Sequence, residues 1–247
     1  MPKFFVPEIE RDAHFLVLTG ENAAHAKVLR LKAGEAVTVC DGNGTDYLCT
    51  VSDIAAGQVS LVVQRQEPSK AEPQVFCSVY MAYAKAEKLE HVIQKATELG
   101  ACEIVAFSSS RCVSKPDEKS LSKKLERWQK IAASAAGQSG RGRIPQVRAV
   151  GTFREAVEQA AKSDLALFPY ENEQTLSLRA CLQSGSFQTV SIMTGPEGGF
   201  SEEEVLLAGQ KNMKICSLGP RILRCETAPL CALTAVLYAT GALDRSV

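Results

Sequence analysis

From residue 75 onward, short apolar runs alternate with amphipathic stretches, and this alternation confines that part of the chain to an α/β architecture with a parallel sheet. Residues 75–81, 103–107, 165–168, 189–193 and 214–218 read as buried strands. Helices are predicted over 87–99, 119–136 and 153–161. In the first of these, Leu89, Val92, Ile93, Ala96 and Leu99 share one face, and Gly100 supplies the stop. Ser201 and Glu204 have capping-box spacing, and a last helix begins near Thr227. Such a sheet is expected to be covered on both faces.

Before residue 70 the period is different. Residues 15–18, 36–40, 47–51 and 59–63 are short strand candidates, and Asp41-Gly42-Asn43-Gly44 is a turn between two of them. This predicts a small barrel or compact sheet. Residues 67–73 hold two prolines and no apolar residue beyond alanine, which marks a linker. The expected domains are therefore 1–70 and 71–247.

Charge balance is even, with 28 Lys and Arg against 28 Asp and Glu, so the molecule as a whole is no polycation. Residues 111–148 nevertheless hold ten basic residues against three acids. That excess fits either a nucleic-acid footprint or a solvated helix face. The nine cysteines include no C-x-x-C pair, and Cys40, Cys77, Cys102, Cys181 and Cys216, in or beside apolar runs, read as small buried groups of a reducing cytoplasm. The three histidines show no metal spacing, so no metal is expected. No signal-peptide core opens the chain. The longest uncharged stretch, 227–243, falls short of the ~20 apolar residues of a spanning helix. The expectation is a cytoplasmic protein without membrane attachment.

Two glycine-bearing turns follow late strands. One is Thr194-Gly195-Pro196-Glu197-Gly198-Gly199-Phe200, and the other is Leu218-Gly219-Pro220-Arg221-Ile222-Leu223-Arg224-Cys225-Glu226-Thr227-Ala228. Side by side in a parallel sheet they would make a main-chain-lined pocket for a small ligand, because glycine lets a ligand approach the backbone. Neither has the spacing or the lysine of a phosphate loop. The first strand of the domain is followed by Ala82-Tyr83-Ala84-Lys85, without the glycines of a dinucleotide fold.

These two turns resemble those of the ribosomal RNA small subunit methyltransferase E family, within the SPOUT superfamily. The resemblance extends to 88–100 (KLEHVIQKATELG), Ser110-Arg111-Cys112, 128–132 (WQKIA), Gln138-Ser139-Gly140-Arg141 and Ile144-Pro145, and more loosely to Val28-Leu29-Arg30-Leu31 and Asp41-Gly42-Asn43-Gly44. It implies a PUA-like β-barrel followed by a methyltransferase domain whose last strands form a trefoil knot, a topology that sequence pattern alone would not propose. It implies a homodimer that binds S-adenosylmethionine and methylates N3 of a uridine in small-subunit ribosomal RNA, either naked or in the assembled subunit. The cofactor contacts it implies are Phe168, Met193, Thr194, Gly195, Pro196, Gly198, Gly199, Leu218, Gly219, Ile222, Leu223 and Thr227. Two alternatives stay open. One is a ribose 2′-O-methyltransferase, although such relatives usually carry Ser-Leu-Asn where this chain has Ile-Leu-Arg. The other is a non-catalytic RNA-binding assembly factor.

Uracil N3–H is weakly acidic, so methylating it requires proton loss and stabilisation of the resulting anion. Arg224 is the first candidate for that role and Arg221 the second, since arginine stays charged and can bond a carbonyl. Arg224 could instead pair with Glu226. Glu197 is a candidate base, or a group that pins its own turn. Arg30, Arg111, Gln138, Arg141 and Arg143 are the expected RNA contacts.

Overall fold

The structure, a computed structural model, describes residues 1–10, 12–113 and 115–244. The chain divides into two compact units. The first is Met1–Glu72 with Ala136–Ile144, and the second is Pro73–Ala135 with Pro145–Val247.

In the first unit, β1 (Lys3–Phe5), β2 (Phe15–Leu18), α1 (Gly20–Val28), β3 (Ala36–Cys40), β4 (Thr45–Ala55) and β5 (Gln58–Pro68) build a five-stranded sheet in the order β1-β3-β4-β5-β2. Only the β1–β3 pair is parallel. Phe4, Leu18, Val37, Val39, Val51 and Leu61 fill the core. The 41–44 turn forms where expected. Asp41 Oδ1 accepts the N–H groups of Asn43 and Thr45, and Gly42 and Gly44 take positive φ. Residues 67 and 68, expected in a linker, belong instead to β5, where Glu67 pairs with Asp46 and Pro68 with Thr45. Proline is tolerated there because it closes the strand.

The 136–144 segment belongs to this unit through Glu72. Glu72 Oε2 pairs with the nearly buried Arg141 guanidinium at 2.6 Å, and Oε1 accepts the N–H groups of Gly142 and Arg143. Lys3 adds a bond to the Gly140 carbonyl at 3.1 Å.

The second unit is a six-stranded, wholly parallel sheet in the order β11-β9-β10-β6-β7-β8. Its elements are β6 (Phe76–Ala82), α2 (Ala86–Leu99), β7 (Glu103–Phe107), α3 (Glu118–Ser139), β8 (Gln146–Val150), α4 (Phe153–Ala160), β9 (Leu165–Pro169), α5 (Leu178–Leu182), β10 (Thr189–Thr194), α6 (Glu202–Gln210), β11 (Lys214–Cys216) and α7 (Thr227–Ala239). The last turn of α3 runs into the first unit. Gly100 ends α2 with φ +119, and the Ser201–Glu204 capping box opens α6. Tyr80, Ala82, Val105 and Phe107 pack under α4 and α6, while α7 packs on α2 and on β6 and β10. Strand β11 stops at Cys216, short of the expected 218. Ser217 N–H turns to the Leu176 carbonyl, and the chain leaves the sheet. Among the described residues, no helix is long and apolar enough to cross a membrane.

The strand order fixes where a ligand can sit. The chain moves outward from β6 to β8, then returns to the other side of β6 for β9, β10 and β11. Open parallel sheets bind ligands beyond the carboxyl ends of strands at such a reversal.

Candidate functional site

The turns after β9, β10 and β11 enclose one cleft of about 940 Å³. This lies within the range of small-molecule sites, ~300–1,000 Å³. Both glycine turns wall it, so the two segments expected to meet do meet. Of the expected cofactor contacts, Thr194, Gly195, Pro196, Gly199, Leu218, Gly219, Ile222 and Leu223 line it, as do Glu197, Arg221 and Arg224.

Local packing explains why the first turn needs glycine. A Cβ on Gly195 would stand 3.1 Å from the Gly199 carbonyl carbon and 3.3 Å from Phe200 Cδ2, because the turn closes on itself through a Gly199 N–H bond to Pro196 O. Gly199 has φ +65, and a Cβ there would run into the Glu171 carboxylate. Gly219 takes φ +109 in the second turn, with open space around it.

Four expected contacts are placed elsewhere. Phe168 and Met193 are fully buried in the core. Phe168 stacks on Phe200 with ring centroids 4.4 Å apart, so it supports the floor of the first turn. Gly198 faces Arg111, whose Nη1 donates to the Gly198 carbonyl at 3.1 Å. Thr227 begins α7 and lies off the cleft lining.

Sequence pattern does not disclose the cleft's charge arrangement. Lys88, on the first turn of α2, lines it. Its Nζ lies 3.3 Å from Glu226 Oε2 and 3.6 Å from Glu197 Oε1. Glu197 Oε1 also accepts the Lys85 N–H at 3.1 Å. Burial alone would raise the Glu197 carboxyl, but the Lys85 N–H and the Lys88 charge hold it below the usual range. Glu226 is likewise held low against desolvation, by its own N–H, the Cys225 thiol and Lys88. The Lys88 ammonium is held above its ordinary value, the neighbouring Cys225, Glu226 and Glu197 outweighing desolvation. Burial pushes the Cys225 thiol to about 12, and it donates to Glu226 at 3.3 Å. Glu226 is thus engaged by Lys88 and Cys225. Among the described residues, neither the Arg221 nor the Arg224 guanidinium makes an ion pair, and both are exposed at the cleft.

Glu171, Glu173 and Tyr170, after β9, complete the lining. Glu173 is held at about 2 by the Thr175 hydroxyl and by the N–H groups of Leu176 and Thr175, so it shapes its own turn. Main-chain walls, apolar Leu218, Ile222 and Leu223, and carboxylates fit a nucleoside-bearing cation such as S-adenosylmethionine. No cluster of His, Cys, Asp and Glu suited to a metal occurs among the described residues.

The expected RNA contacts are dispersed. Arg111 stands beside the first glycine turn. Arg30, Gln138 and Arg143 are exposed on the first unit, where the Arg143 side chain lies over Gly44. Arg141 is placed differently, because its guanidinium is buried against Glu72 and clamps the 140–143 turn.

The whole chain, cleft included, has known relatives. Residues 71–237 match the RNA methyltransferase domain family, and residues 18–64 match the RNA methyltransferase PUA domain family. The chain is therefore of the RNA methyltransferase class. It is 34% identical to the ribosomal RNA small subunit methyltransferase E of Bacillus subtilis, over 98% of each chain. A Neisseria gonorrhoeae ribosomal RNA small subunit methyltransferase E, solved bound to S-adenosylmethionine, superposes with a TM-score of 0.86 at 28% identity, covering 96% of this chain and 97% of that one. A Legionella pneumophila methyltransferase structure, also in complex with that cofactor, gives 0.84 at 30% identity, again over 96% and 97%. The chain belongs to the ribosomal RNA small subunit methyltransferase E family.

Proposed function

We propose that this protein transfers a methyl group from S-adenosylmethionine to N3 of a uridine in small-subunit ribosomal RNA. The observation that carries the reading is the cleft itself. Two glycine turns wall it with main chain, and a guanidinium that makes no ion pair among the described residues stands at its edge. Membership of the family supports the cofactor and the substrate class.

When bound, the cofactor supplies an electrophilic methyl group on a sulfonium. The chain's own residues do the rest. The Gly195–Gly199 and Gly219–Leu223 turns present backbone atoms to it, with Ile222 and Leu223 flanking the adenine. Arg224 bonds a uracil carbonyl and stabilises the anion left when N3 loses its proton to solvent, a task suited to a permanently charged side chain. Arg221 supports the same field. Glu197 is the pin of the first turn: its carboxylate is occupied by the Lys85 N–H and by Lys88, which hold it below the usual carboxylate range.

Three finer features belong to the same proposal. The chain threads its last strands into a trefoil knot. It works as a homodimer, to which the outward Tyr238, 78% exposed, contributes apolar surface. It acts in the cytoplasm.

Mass spectrometry of small-subunit RNA from cells lacking the protein tests the reading. The expected result is loss of one N3-methyluridine, restored by the wild-type chain but not by an Arg224→Ala variant. Loss of a ribose methyl instead would redirect the assignment to 2′-O transfer. An unchanged RNA, with no calorimetric binding of S-adenosylmethionine, would leave a non-catalytic RNA-binding protein.

A further inference from the structure

Glu204 makes a bond that its capping box does not require. Its Oε2 accepts the Ser201 N–H at 2.9 Å and closes the box. Its Oε1 accepts the Ser110 N–H at 2.8 Å, from the turn that follows β7. The residue is buried, and both carboxylate oxygens are engaged. Charge-assisted bonds strengthen away from water, so this one side chain is a firm joint between the 109–112 turn and the start of α6. The turn is closed internally by a Ser109 N–H bond to Cys112 Sγ.

The consequence falls on Arg111. Its side chain lies along Gly198, where a Cβ would come within 3.2 Å of the Arg111 Cβ. One Nη1 bond reaches the Gly198 carbonyl, and the guanidinium is exposed. A guanidinium has five N–H donors, so this bond leaves several for a ligand. The Glu203 carboxylate, held low first by the Ser201 hydroxyl, also feels the Arg111 charge. The cation is therefore fixed against the back of the first glycine turn, whose other residues wall the cleft.

We infer that Glu204 is a positioning residue for substrate RNA: it docks the 109–112 turn so that Arg111 grips a backbone phosphate beside the target nucleotide. The inference rests on the RNA methyltransferase reading. A planar, permanently charged fork suits a phosphate, and phosphate contacts set the register of RNA on a protein.

The test is a double-mutant cycle on the full-length protein, using Glu204→Gln and Arg111→Ala. Wild-type and variant chains are assayed for S-adenosylmethionine affinity by calorimetry and for small-subunit RNA affinity across a salt series. Arg111→Ala is expected to weaken RNA binding roughly tenfold and to lower the salt slope by about one phosphate contact. Glu204→Gln should reproduce most of both effects, leave cofactor affinity unchanged, and add nothing in the Arg111→Ala background. Additive effects, or an unchanged salt slope in Glu204→Gln, would overturn the inference. If Glu204→Gln does not fold, Glu204→Asp, whose shorter carboxylate favours the capping bond over Ser110, takes its place with the same expectations. A wild-type chain that binds no RNA at any salt would instead sink the RNA reading itself, and this inference with it.

Discussion

Lys88 Nζ and Glu226 Oε2 stand 3.3 Å apart, with Glu197 3.6 Å from the same ammonium. One cation on α2 thereby ties together the two glycine turns, which are otherwise separate in sequence. It also takes Glu226 away from Arg224, the pairing that would have neutralised the proposed catalytic cation.

Replacing Lys88 with Met removes this tie and leaves two carboxylates facing each other. The expected outcome is weaker S-adenosylmethionine binding and a changed dependence of Tm on pH. Glu197 and Glu226 have depressed pKa values in the folded state, so their contribution is present above the ordinary carboxylate value and is lost as pH falls through the folded one. Lys88 is raised, so its contribution is present below the ordinary lysine value and is lost as pH rises through the folded one. Lys88→Met should flatten both limbs. Thermal melts from acid to alkaline pH check this, and unchanged limbs would contradict the arrangement.

Arg224→Ala should abolish most methyl transfer while leaving the fold and the cofactor affinity in place. Removing one donor to a developing anion costs about 10²–10³ in kcat. Arg224→Lys should recover only part of the rate, since an ammonium cannot present the same fork. Single-turnover rates with saturating cofactor are the measurement. A drop in cofactor affinity equal to the drop in rate would assign Arg224 to binding instead.

The pH dependence of the reaction carries independent information. Glu173, Glu197 and Glu226 are held below the ordinary carboxylate range, whereas Cys225, at about 12, and Lys88 lie well above neutrality. None of these groups titrates near pH 7. The rate should therefore rise steadily with pH as the target base itself ionises, with a slope of about one in log units across about pH 6 to 8. A plateau beginning in that interval would point to a protein base.

Much of the fold is legible in the sequence. The capping box at Ser201, the stop at Gly100 and the alternation after residue 75 rest on local rules, and the structure follows them. The glycine turns were legible because their shape is encoded in adjacent residues. Strand β1 and helix α5 were not, being three and five residues long, too short for a period to register. Helix α1 has buried only Ala23 and Ala26, so it lacks an apolar stripe. Lys88, Glu171 and Glu204 carry no local functional signal because their partners lie on distant segments. Arg141 illustrates the reverse failure: a basic cluster counts charges, but only the fold shows that this one is sealed against Glu72.

That pair yields a stability prediction. Glu72→Ala removes the carboxylate paired with the buried Arg141 guanidinium and the acceptor of the Gly142 and Arg143 N–H groups. Breaking a buried pair from one side typically costs about 3–5 kcal/mol. Denaturant unfolding should show a loss of that order for Glu72→Ala. Replacing both partners with apolar residues should cost less, since the buried charge then leaves together with its counter-charge. Equal losses for the single and double variants would argue that the pair is worth no more than its packing.

Gly199→Ala joins backbone strain to cleft geometry. The residue sits at φ +65, where a side chain costs about 1–2 kcal/mol, and its Cβ would meet the Glu171 carboxylate. The variant should lose stability of that order and bind S-adenosylmethionine more weakly, as the turn and Glu171 are forced apart. Adding Glu171→Ala should relieve the collision but not the φ strain. The double variant should therefore recover part of the lost stability and no more. Denaturant midpoints measure the recovery, and calorimetry measures the affinity. Full recovery would show that collision alone demands glycine here, and no recovery would assign the demand to the backbone.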